Sequence, residues 1–133
     1  MCRLRCLPCR NDMLSYKVFG SGLSTLATTA ICKDVATSVS AAGTTQVTAT
    51  ELTAADNEVT TVAANSGVAL SSLGSAGDGQ SVYNGGANPL NVYPPSGMSI
   101  NQLSANVPII LPVSTGALFK FISSSRIIGV LSA

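Results

Sequence analysis

The sequence predicts an all-β fold: an antiparallel β-sandwich or jelly-roll-like barrel at 35–133, preceded by an extended N-terminal arm at 1–34. Three observations predict it. About eight short segments with strand character follow one another at spacings of about 8–12 residues, turn residues separate them, and no amphipathic helical pattern develops after residue 34. At 133 residues the chain is sized for one domain with one core.

Taken in order, Thr45–Leu52 (TQVTATEL) alternates small apolar and polar residues, and Glu58–Ala64 (EVTTVAA) carries the β-branched residues that suit a pleated surface. Both read as strands. The connector Thr53–Asn57 (TAADN) has hairpin length and holds Asx residues that close turns on their own backbone, so the pair reads as a hairpin. Val68–Leu70 adds a short strand before a loop marked by Gly74, Gly77, Asp78 and Gly79. Ser81–Asn84 follows, then the turn Gly85–Asn88 and the strand Leu90–Tyr93, which Pro94 and Pro95 stop. A Ser96-Gly97 turn leads to Met98–Leu103, and Val107–Val113 has prolines near both ends, as an edge strand tolerates. Ala117–Ile122 (ALFKFI) and Ile127–Leu131 (IIGVL), separated by 123–126, are the two strongest strand candidates, and the final strand is expected inside the core.

Charged residues reach only 10% of the chain against about 25% in ordinary soluble domains. A surface of Ser, Thr, Asn, Gly and Ala resists association less well than one of Lys and Glu, so the composition predicts that partners cover part of it. The net charge is +1, but residues 1–17, with Arg3, Arg5, Arg10 and Lys17 against Asp12, carry +3 and the remainder −2. This basic arm is the candidate partner-binding element. Four cations without interleaved aromatics suit an acidic protein surface, and direct nucleic-acid contact is not expected. There is no run of 18 apolar residues, and Asn11 and Asp12 interrupt the first segment before a secretion signal develops, so neither a membrane nor a secretory route is expected.

Catalytic constellations are missing from the residue list. With no His, Ser-His-Asp and Cys-His chemistry are excluded, and the commonest metal ligand is absent. Cys2, Cys6 and Cys9 have the C-x3-C-x2-C spacing of radical S-adenosylmethionine enzymes, but that chemistry needs an α/β barrel that this chain is too short to build. Cys32 completes four thiols, though it lacks the second paired element of a zinc knot; free thiols, disulfides and metal binding all stay open, with no cofactor expected. Asp34, Glu51, Asp56, Glu58 and Asp78 fall at loops or strand ends, where carboxylates are solvated rather than paired for acid–base work. The glycines at 74, 77 and 79 and at 85 and 86 lack the Lys-Ser/Thr of a phosphate loop and read as turns. Tyr83 and Tyr93, on strands expected to be neighbours, read as a cross-strand packing pair. No enzyme activity and no small-molecule substrate are expected.

The segment from Val59 to Leu131 contains TTVAANSGVAL, GDGQSVYNGGANPLNVYPPSG, SINQLSAN and a terminal VLSA. It resembles a family of small virion proteins of tailed bacteriophages in which V-x-N-x-G-A-N-x-L-x-V-Y-P-x-S-G is followed by I-N-x-L. The specific part is YNGGANPLNVYPPSG; nothing in residues 1–44 belongs to it, and Arg126-Ile127-Ile128 departs from the aromatic-bearing closing strand of the pattern. The resemblance implies a β-rich structural protein of the virion, made in the host cytoplasm. Its implied place is the capsid surface, as a decoration or cement protein that bridges major capsid subunits and forms a dimer or trimer. The alternative is a small tail fibre, spike or receptor-binding module.

Overall fold

The computed structural model describes residues 34–132. They form ten strands and no helix: β1 (Val35–Ser40), β2 (Thr50–Glu51), β3 (Asp56–Thr61), β4 (Gly67–Ala69), β5 (Gly79–Asn84), β6 (Leu90–Tyr93), β7 (Ser99–Ile100), β8 (Ile109–Leu111), β9 (Gly116–Phe121) and β10 (Arg126–Leu131). The all-β expectation holds. The strands make a six-stranded sheet in the order β1-β3-β5-β9-β10-β7 and a four-stranded sheet in the order β2-β4-β6-β8.

The sandwich or jelly-roll arrangement does not hold, and neither does its antiparallel pairing. From β1 to β6 the chain alternates between the two sheets, so each circuit lays one new strand parallel to the last on both sides. Of eight strand pairings five are parallel; the antiparallel ones are β5 with β9, β9 with β10, and β6 with β8. The result is a β-solenoid-like stack closed at its C-terminal end by an antiparallel hairpin. Parallel neighbours need a long crossover. Here two corners and a strand of the opposite sheet supply it, where a helix would serve in an α/β protein. The connectors TAADN and Gly85–Asn88 are therefore corners: β2 and β3 lie in different sheets, as do β5 and β6. The hairpin expected between ALFKFI and IIGVL is present, with Phe121 opposite Ile127 and Leu118 opposite Val130.

The alternation in Thr45–Leu52 yields a strand only at Thr50–Glu51. Upstream the chain turns on itself: Thr48 Oγ1 accepts hydrogen bonds from the Thr44 and Thr45 amides at 3.2 Å, and the Ala49 amide reaches Thr45 O at 3.0 Å. Hydroxyls of this kind offer the backbone a local alternative to a ladder. The turn crosses the outer face of the four-stranded sheet, where the Tyr93 hydroxyl donates to Thr44 O at 2.8 Å and the Gln46 amide to Pro94 O at 3.2 Å.

The core lies between the sheets. Val59, Val82, Phe119, Phe121 and Ile127 point inward from one side, and Val68, Leu90, Val92 and Leu111 from the other, with Leu52 and Leu70 between. Three buried amides join them. Gln80 donates to Ala54 O and accepts from the Ser71 amide, and Asn57 donates to Ala54 O and Ser81 O. Asn84 donates to the carbonyls of Asn88, Leu111 and Pro112 while accepting from the Gly86 amide. Such groups are costly inside unless bonded, and here they hold carbonyls of the corner residues Ala54 and Asn88 as well as of Ser81 in β5 and Leu111 in β8. The final strand lies less deep than expected: Ile127 is buried, but Val130 is 63% exposed.

Candidate interaction surface

Period-2 alternation decides what the six-stranded sheet shows outward. On β5 the inward residues are Gln80, Val82 and Asn84, leaving Ser81 and Tyr83 outside; on β9 Ala117, Phe119 and Phe121 turn in, leaving Leu118 and Lys120 outside. On β10 Ile127 turns in, and Arg126, Ile128 and Val130 face out. The register aligns these into rows. Asp56, Ser81, Leu118 and Val130 stand side by side across four strands, with Glu58, Tyr83 and Gly116 in the next row. Leu118 is 57% exposed and Tyr83 43%. Large apolar side chains from two adjacent rows thus stand on this sheet face, exposed among the described residues.

Charge on this face is segregated. Asp56 and Glu58 project from β3, with Ser81 Oγ donating to Asp56, and Asp34 adjoins them through its carbonyl, which accepts from the Asp56 amide. Lys120 and Arg126, the two described cations, lie on β9 and β10. β5 separates the two halves.

The sequence-derived candidates fare as follows. Arg3, Arg5, Arg10 and Lys17, together with Cys2, Cys6, Cys9 and Cys32, lie outside the described residues. Among the described residues no group of three Cys, Asp or Glu could hold a metal, and no helix is long and apolar enough to cross a membrane. Glu51 is occupied in a loop: its Oε2 accepts from the Ser72 amide at 2.8 Å and from Ser72 Oγ at 2.6 Å. Asp78 Oδ2 accepts from the Ser75 amide at 2.8 Å, closing another turn. Tyr83 and Tyr93 do not pair, because β5 and β6 belong to different sheets; Tyr93 is buried beneath the 43–49 turn and Tyr83 faces outward. Two depressions of about 370 and 490 Å³ share Ser72, Pro95 and Ser96, and the only ionisable side chain lining either is that of Glu51.

The segment YNGGANPLNVYPPSG builds the corner between β5 and β6. Asn84 bonds across to Leu111, and Asn88 Nδ2 donates to Val62 O at 2.8 Å in the preceding corner. Gly86 packs so closely that a Cβ there would lie 2.5 Å from Val62 Cγ2. These residues build the corner, and of them Pro95 and Ser96 also line the two depressions. The signal missed at the sequence level was the outward set Leu118, Lys120, Ile128 and Val130, whose alternation is legible in ALFKFI and IIGVL once the buried face is known. No protein-family model, curated protein or solved structure matches this chain.

Proposed function

We propose that this chain is a structural protein of a tailed-bacteriophage virion, a decoration protein that bridges major capsid subunits and works by contact rather than by chemistry. The observation that carries it is the set of exposed apolar side chains Tyr83, Leu118 and Val130 on the adjacent strands β5, β9 and β10, in a chain with only 10% charged residues. Regular sheet faces with standing apolar side chains mark protein-contact surfaces. The resemblance of YNGGANPLNVYPPSG to small phage virion proteins supplies the setting, and the basic residues Arg3, Arg5, Arg10 and Lys17 supply a charged element suited to an acidic capsid surface.

A second reading, a small tail fibre or spike component, is favoured by the stacking of coils along one axis, which suits an elongated assembly. Copy number separates the two. Particles carrying the chain in numbers comparable to the major capsid protein support decoration; a few copies per particle support the fibre, and absence from purified particles refutes both. Adding purified chain to particles that lack it, with and without residues 1–34, then tests the arm: equal occupancy by the truncated chain removes its role.

A further inference from the structure

We infer that the pair Asn84-Gly85 is a self-modification site, kept silent by the native fold and switched on by unfolding, whose product no longer fits the corner it came from. The reaction is loss of ammonia from the Asn84 side chain through a cyclic imide. It stands on the corner between β5 and β6 alone and does not depend on the virion reading.

Asparagine is among the thermolabile residues. It reacts most readily where glycine follows, because no side chain hinders the approach of the next backbone nitrogen. Every other asparagine of the chain precedes a residue that carries a side chain. In the reaction the Gly85 amide nitrogen gives its proton to base and attacks Cγ of Asn84. A nitrogen–carbon bond closes the five-membered imide, the Cγ–Nδ2 bond breaks, and Nδ2 leaves as ammonia with a proton from water. A second water opens the ring at either carbonyl. The outcome is an aspartate, or an iso-aspartate whose backbone runs through the former side chain, and the sum is amide plus water giving acid plus ammonia.

The fold blocks each step. The nucleophile is engaged, since the Gly85 amide donates to Val59 O at 2.9 Å. The electrophile is held away from it: Asn84 Oδ1 accepts from the Gly86 amide, and Nδ2 donates to the carbonyls of Asn88, Leu111 and Pro112. The backbone of Asn84 is pinned on both sides, its amide bonding to Thr115 O and its carbonyl accepting from the Ser114 amide, each at 2.9 Å. Asn84 is 0% exposed, so base and water have no access. Reaction waits for the corner to open, and its rate is scaled by the small population in which it is open.

The product is excluded by the same contacts. The new carboxyl oxygen would replace Nδ2 at 3.0 Å from Asn88 O, 2.9 Å from Leu111 O and 3.2 Å from Pro112 O, three acceptors that a carboxylate cannot satisfy. Ionised it brings a buried charge among carbonyl dipoles, and protonated it offers one hydrogen where the amide offers two. The iso-aspartate adds a backbone atom to β5, which pairs with both β3 and β9. A chain that stays unfolded is thus marked covalently and loses its way back.

The test follows the full chain at mildly alkaline pH, folded in buffer and unfolded in urea, with mass spectrometry of the peptide that contains Asn84. Asp78-Gly79 can form the same imide but regains its original mass, so the mass gain reports the amide. The folded chain is expected to react at least about a hundredfold more slowly than the unfolded one. Samples diluted from urea at intervals are expected to lose refolding in step with the mass gain. Gly85→Ala separates this step from other damage: its Cβ would lie 3.5 Å from the Tyr83 ring and 3.6 Å from Val59 O, ordinary contacts. That variant is expected to fold, to gain mass at least about tenfold more slowly in urea, and to keep its refolding. Asn84→Asp supplies the product directly. Its folded state keeps a proton that the unfolded chain releases above about pH 4, so its deficit in urea midpoint against the native chain is expected to grow as pH rises from there. Equal rates of mass gain folded and unfolded overturn the proposal. So do loss of refolding at the same pace in Gly85→Ala, and an Asn84→Asp midpoint at neutral pH that matches the native one.

Discussion

The side-chain amide of Asn84 donates to the carbonyl of Leu111 at 2.9 Å, joining the end of β5 in one sheet to β8 in the other through the core. Two further carbonyls, of Asn88 and Pro112, and the Gly86 amide share the same side chain. Replacing it by Ala removes four bonds, of which those to Leu111 O and from the Gly86 amide lie in the buried interior. Asn84→Ala is expected to cost about 3 kcal/mol, with a lower urea midpoint and an unchanged slope. Asn57→Ala, which removes a bond to Ser81 O and one to Ala54 O, a carbonyl that keeps its bond from Gln80 Nε2, is expected to cost less. The reverse ranking in chemical denaturation would show that the corner does not depend on Asn84.

Gly129 lies against the ring of Phe119: an added Cβ would come within 2.8 Å of Cε1 and 3.3 Å of Ile100 Cγ2. Phe119 is fully buried and has nowhere to retreat. Gly129→Ala is expected to lower stability by about 1–3 kcal/mol through overpacking. Adding Phe119→Leu to it is expected to cost less than the sum of the two single changes, since the smaller side chain removes the clash. A double-mutant cycle in thermal unfolding measures that coupling, and strict additivity would contradict the contact.

Neighbouring positions on β9 offer a test of which face is inside. Phe119→Ala is expected to cost about 3–5 kcal/mol, whereas Leu118→Ser, one residue away and 57% exposed, is expected to stay within about 0.5 kcal/mol of the native chain. Equal effects on the melting temperature would mean that β9 is covered on both sides within the monomer.

Tyr93→Phe removes the hydrogen bond that holds Thr44 O over the four-stranded sheet. A net loss of about 1 kcal/mol is expected. The local readout is sharper: amide exchange at Thr48 and Ala49, whose amides bond to Thr45 O, should accelerate while the strands keep their protection. Unchanged exchange there would leave the turn's placement to its own threonines.

Much of the strand content is legible in the sequence. Leu90–Tyr93 is bounded where Pro94 predicts, and the ALFKFI–IIGVL hairpin forms as its pattern indicates. The stacking is not legible, for a physical reason. A corner into an opposite sheet and a hairpin into the same one use the same turn chemistry, and the circuits are unequal: Val35 pairs with Asp56, 56 − 35 = 21 residues on, while Asp56 pairs with Ser81, 81 − 56 = 25 residues on. No fixed period marks the coil, as it would in a regular repeat. β1 (Val35–Ser40) also passed unmarked, although Val35, Thr37 and Val39 alternate in its sequence. Of the surface, the carboxylates Asp56 and Glu58 are picked out by the sequence as solvated groups, and Tyr83 is picked out with the wrong companion. Leu118 and Val130 read as ordinary core residues because alternation states that two faces exist, not which one the second sheet covers.

The hairpin of β9 and β10 has a further consequence. By running antiparallel to β5 it ends the winding on that side, while Pro108 and Pro112 flank the short outermost strand β8 of the smaller sheet. Among the described strands the larger sheet's edge on the parallel side is β1, where any added turn of the winding would have to be laid. There the irregular backbone at Ser38, with φ of 62°, would have to be straightened first.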